Sequence, residues 1–112
     1  MSVSFEGVGQ VCATFLGGGL SEGHVVKVTD CGTAGPCGNG DDFCGLALCC
    51  KDDACTVQVA GFVTARYSGT PPKAGYAALC ADGAGGVKTA SGGRSRLVAD
   101  VDTVAGTVTI LL

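Results

Sequence analysis

Eight of the 112 residues are cysteine, and six of these fall between Cys31 and Cys55, so thiolate chemistry is the first possibility the chain offers. A zinc site usually draws paired ligands from tight knuckles, because a single turn must aim two thiolates at one ion. The cysteines here are spaced too widely for that or not at all. Adjacent Cys49 and Cys50 point to opposite faces of any strand that holds them and do not ligate together in that conformation. Cys31, Cys37, Cys44 and Cys49 are the candidates for a thiolate site, but the pattern is read as no metal. Small buried apolar cysteines, and next to them disulfides, are the other two readings.

A cysteine nucleophile needs a base, and His24 is the only histidine, set beside valines on an alternating segment. No serine occupies a strand-to-helix elbow. The acidic pairs Asp41-Asp42, Asp52-Asp53 and Asp100/Asp102 lack calcium-loop geometry and read as a loop, a hairpin tip and a solvated strand face. Gly7-Val8-Gly9-Gln10-Val11-Cys12 stops short of a dinucleotide fingerprint, and Gly83 to Gly86 lacks the lysine of a phosphate loop. The expectation is a non-enzyme without cofactor.

Elements that would carry these groups are almost entirely extended. Twenty glycines interrupt the chain, and only Leu46 to Ala60 and Arg94 to Ala105 exceed ten residues without one, which leaves little room for helices. Period-two alternation marks His24 to Thr29 and Ser95 to Asp102, with Leu97, Ala99 and Val101 on one face. It also marks Thr107 to Leu112, with Val108, Ile110 and Leu112 together. Phe43 to Cys50 is a nearly unbroken apolar run, expected to be buried on both faces. Cys55 to Tyr67 is too long for one strand and is expected to break at Gly61. Tyr76 to Ala81 and Val87 to Thr89 flank the hairpin turn Asp82 to Gly86. Asp30 to Asp42 and Ser68 to Ala74 read as loops.

This spacing predicts an all-β, single-domain small barrel or sandwich over residues 23–112, preceded by an extended N-terminal arm over residues 1–22. In the arm, Val3, Phe5, Val8 and Val11 stand among glycines. They are expected either to lie across the chain's own barrel or to add a strand to a neighbour.

Only 15% of residues are charged, against 46% hydrophobic. That is below the share usual for soluble domains and points to a surface covered by another chain. A net charge of −3 with scattered basic residues argues against nucleic-acid binding. No apolar run is long enough for a helical span, and the first residues lack a signal-peptide layout, so no membrane partner and a cytoplasmic origin with reduced thiols are expected.

Six segments together resemble one family. These are His24-Val25-Val26-Lys27-Val28, Phe43-Cys44-Gly45-Leu46-Ala47, Val57-Gln58-Val59-Ala60-Gly61-Phe62-Val63, Ala74-Gly75-Tyr76, Asp82-Gly83 with Gly86-Val87-Lys88, and Gly106-Thr107-Val108-Thr109-Ile110. The chain from about Gly23 to Leu112 resembles the small head-decoration, or capsid cement, proteins of tailed phages and prophages. The resemblance implies a β-rich protein that binds the outside of the viral head, often as a homotrimer, and strengthens it. It further implies the major capsid protein and sister copies as partners, the exterior of the virion as its place after assembly in the bacterial cytoplasm, and no active-site residues. Val3, Phe5, Val8 and Val11 are then the expected capsid contacts. The cysteine content and the long Asp30 to Asp42 segment depart from the family and keep a small cysteine-rich metal-binding or redox module as the alternative.

Overall fold

The computed structural model describes residues 9–17 and 19–112, and every regular element among them is a strand. In chain order these are β1 (Val11–Leu16), β2 (Val25–Asp30), β3 (Thr33–Pro36), β4 (Gly45–Lys51), β5 (Ala54–Ala60), β6 (Phe62–Arg66), β7 (Gly75–Ala81), β8 (Val87–Thr89), β9 (Arg94–Asp102) and β10 (Thr107–Leu111). The first five close into a barrel in the order β1-β3-β2-β4-β5, and the last five form a second sheet in the order β6-β10-β9-β7-β8. The all-β barrel expectation holds. Neighbouring strands run antiparallel except β1 and β3, which meet in parallel at Leu16 and Thr33.

Two apolar cores share one wall. Val26, Ala34, Ala47, Cys55 and Val57 fill the barrel, with Phe15 and Leu20 packed against them. Val63, Leu79, Val87, Val98, Val108 and Ile110 of the second sheet pack on Val25, Phe43 and Leu46. Successive strand residues point to opposite faces, so the pair Val25-Val26 on β2 and the pair Leu46-Ala47 on β4 each supply one side chain to either core. Each fully buried Val, Leu or Ile contributes about 1.5–3 kcal/mol over its exposed state.

Gly61 divides Cys55 to Tyr67, as its position suggested: β5 ends before it in the barrel and β6 begins after it in the second sheet. Its φ of 93° belongs to glycine. The Gln58 side chain fastens this corner. Its amide donates to the carbonyls of Ala60 and Phe62, each at 3.0 Å, and its Oε1 accepts from Gln10 Nε2 at 3.2 Å.

Four expectations need correction. Asp30 to Asp42 contains β3, although Gly35 and Pro36 are poor strand residues. Pairing with β2 holds it, and a Cβ at Gly35 would meet the Thr29 methyl at 2.7 Å, so bare backbone is required there. The run from Phe43 to Cys50 is doubly buried only through Ala47. A bulge between Ala47 and Cys49 follows, and Leu48 and Cys49 face solvent beyond the reach of the second sheet. In β9 the facing is inverted at the start: Arg96 and Val98 are buried and Leu97 lies outside, because a register shift opposite Thr109 and Ile110 switches the alternation near Ala99. Finally, Val11–Leu16 of the arm is a barrel strand, paired along β5.

Candidate functional site

The cysteines scatter. Cys12, Cys31 and Cys49 are exposed and free, Cys37 and Cys80 are buried and free, and Cys44 is half-buried. Cys50 and Cys55 are direct cross-strand partners at the end of the β4–β5 hairpin, with Cα atoms 4.1 Å apart, and form a disulfide. The expected reduced state therefore fails at this pair, and the expected burial fails at the three exposed thiols. Asp52 and Asp53 form the tip of that hairpin, as the sequence indicated, with Asp52 at a φ of 55°. Of the candidate thiolate set, Cys31 sits in the β2–β3 turn and Cys49 on the outer barrel face. Among the described residues no group of three or more His, Cys, Asp or Glu is placed to hold a metal ion.

Burial pushes the Cys37 thiol up to about 11, with the nearby Asp41 charge adding to it. At pH 8 this group is almost wholly protonated. Alkylation of the native protein at that pH is expected to modify Cys12, Cys31 and Cys49 and to spare Cys37 and Cys80 until the chain is unfolded. Peptide mass spectrometry of both samples checks this; labelling of Cys37 as fast as Cys31 would contradict its placement.

His24 is exposed just before β2, with its ring against Gly85: a Cβ at Gly85 would lie 2.4 Å from it. The Lys27 ammonium donates to Asp41 Oδ2, as does the Gly38 amide at 2.8 Å. The lysine bond first, and the Gly38 amide after it, hold the Asp41 carboxyl below the usual carboxylate range. This pair pins the segment after β3 to β2.

Arg96 lies on β9, within the alternating segment Ser95 to Asp102. It is 8% exposed, donates from Nη2 to the Phe43 carbonyl at 2.7 Å, and lies with its guanidinium carbon 4.6 Å from the Phe43 ring centre. Its Nε is buried without a partner among the described residues. Its place within an alternating segment, between Ser95 and Leu97, is the only sequence signal for it.

Two surfaces remain as candidates for binding. The first is on the outer face of the second sheet, where register places Phe62 opposite Leu111, Leu111 opposite Leu97, and Leu97 opposite Tyr76. This apolar row crosses four strands, and Tyr76 is 80% exposed. Beyond it the face turns polar, with Thr64 and Thr109 hydrogen-bonded at 3.1 Å and Asp100 and Asp102 in the solvent. Val11, 52% exposed on β1, pairs with Ala60, one residue before the Gly61 corner. Val3, Phe5 and Val8 lie outside the described residues. The second surface is a cleft of about 570 Å³ lined by Asn39, Ser68, Gly69, Thr70, Asp82, Lys88 and Thr89. No protein-family model matches the chain, and no curated protein matches it.

Proposed function

We infer that the chain is a capsid decoration protein, which binds the outer surface of a tailed-phage head as an oligomer and stabilises it. The observation that carries this reading is the apolar row Leu111-Leu97-Tyr76 on an outward sheet face, in a chain with few charges. Aromatic and aliphatic side chains aligned on a rigid sheet suit a protein interface, since they cost little entropy to immobilise. Sister copies cover this row to form a homotrimer. Val11, together with Val3, Phe5 and Val8, reaches the major capsid protein. Repetition over a lattice then turns individually weak contacts into a firm hold.

The test uses purified protein and expanded heads of the phage that encodes it. Light scattering after size exclusion is expected to give a trimer, and co-sedimentation is expected to show binding to heads. Tyr76→Asp and Leu97→Asp place a charge in the row and are expected to yield monomers whose head binding falls by roughly 30-fold, the loss of one interface hot spot. A wild-type monomer that leaves heads untouched would end the reading.

A further inference from the structure

The outer edge of β6 is open. The Tyr67 amide donates to the Gly106 carbonyl at 3.1 Å and the Leu112 amide to the Gly61 carbonyl at 2.9 Å, so the odd-numbered residues of β6 turn their main-chain groups to β10. The even-numbered ones turn theirs away. On that side the Phe62 carbonyl is taken by the Gln58 amide. Beyond it the Thr64 amide and carbonyl and the Arg66 amide have no main-chain partner among the described residues, and β8 meets the strand only past its end, at the bridge between Tyr67 and Val87. Such an unpaired row is a template for another strand.

The chain itself arrives at the head of this edge. Val11 pairs with Ala60, and a Cβ at Gly61 would lie 3.0 Å from Gln10 Cα and from the Gly9 carbonyl oxygen. The Gln58 side chain accepts from Gln10 while its amide donates to the Ala60 and Phe62 carbonyls, so those two carbonyls share the edge that β1 follows. Because β1 runs antiparallel to β5, its line continued backwards past Gly61 runs antiparallel to β6. Gly9, at a φ of 61°, has the residue type and conformation that open a bulge in such a strand.

Residues 1–8 lead to this point. Six extended residues reach about 20 Å, against about 17 Å for the five of β6. Ser2-Val3-Ser4-Phe5-Glu6 alternates strictly between polar and apolar. With Gly9 beside Gly61, antiparallel register sets Val8 beside Phe62, Glu6 beside Thr64 and Phe5 beside Ala65. Val8 then extends the outward row of Phe62, Leu111 and Leu97, while Val3 and Phe5 fall on the core side with Val63 and Ala65. Glu6, the one acidic residue of the eight, falls diagonal to Arg66, which is exposed and has no ion-pair partner among the described residues.

We propose that residues 3–8 add an antiparallel strand to the β6 edge of their own chain. Length, point of arrival, alternation and charge all fit this one place. The added strand belongs to the free chain and is separate from the decoration reading, in which a head draws Val3 and Phe5 off β6.

Amide hydrogen exchange of the whole chain, followed by NMR, tests it. The Thr64 and Arg66 amides are expected to be protected. Glu6→Pro, which removes the amide facing Thr64, is expected to speed their exchange at least roughly tenfold, while Val63 and Ala65, held by β10, keep their rates. Arg66→Glu is expected to loosen the edge roughly two- to five-fold, and Glu6→Lys in the same chain to restore it. Thr64 and Arg66 exchanging as fast in the wild type as in Glu6→Pro, or Val63 and Ala65 speeding equally with them, would overturn the proposal. Protection that rises with protein concentration would also overturn it, by assigning the strand to a sister copy.

Discussion

Gly61→Ala is expected to lower the unfolding midpoint by 10 °C or more, at roughly 4 °C per kcal/mol for a domain of this size. Two costs add. A φ of 93° is a conformation that a side chain strains, at about 1–3 kcal/mol. A Cβ there would also lie 3.0 Å from Gln10 Cα and from the Gly9 carbonyl oxygen, backbone atoms that cannot swing aside, for about another 1–3 kcal/mol. Relieving that contact means moving β1 off the end of β5 or breaking the Gln58 clamp on Ala60 and Phe62. Gly69→Ala is the control. It has a φ of 75° with nothing within 4 Å of the added atom, so only the conformational cost applies. Thermal unfolding followed by circular dichroism compares the two. Equal losses would mean that the approach of Gln10 to the corner is loose.

Arg96→Ala is expected to cost about 2–3 kcal/mol, read as a lower urea midpoint at unchanged slope. The substitution strands the Phe43 carbonyl, removes the stacking of the guanidinium on the Phe43 ring and leaves a gap between β9 and the start of β4. Part of the loss is offset, because a buried charge is costly to maintain, with no ion-pair partner among the described residues and only the more distant Asp42 carboxylate acting in its favour. Burial and the neighbouring Arg94 both act against the protonated form. Arg96→Met keeps most of the volume and removes the charge, so it isolates the orphaned carbonyl and should lose only about 1 kcal/mol. If Arg96→Met were as damaging as Arg96→Ala, packing would not be what the stem of Arg96 supplies.

Much of the fold was legible because the turn residues and the strand period agree with one another. Gly61, the Asp52-Asp53 tip and the Asp82 to Gly86 turn fall where the sequence placed them, since each needs a conformation that few residues adopt. What was missed depends on contacts distant in sequence. Thr33–Pro36 is a strand only because β2 and β1 lie beside it, which no local propensity reveals. The inversion in β9 comes from a single unpaired residue, and a slip of one exchanges every facing side chain that precedes it. That is why Arg96 and Val98 are buried while Leu97, which strict alternation groups with Ala99 and Val101, is not. Neither candidate surface could be drawn from the sequence alone. The apolar row needs the register of four strands, and the cleft unites residues from Asn39 to Thr89 that adjoin only after both sheets have formed.

Because β2 and β4 each turn neighbouring side chains into opposite interiors, neither half of the molecule owns a complete lining. Peeling one away would leave Val25 and Leu46, or Val26 and Ala47, bare to water. The two halves are therefore bound to melt together, as a tile with a common spine, and a pull applied at either outer face is borne by both.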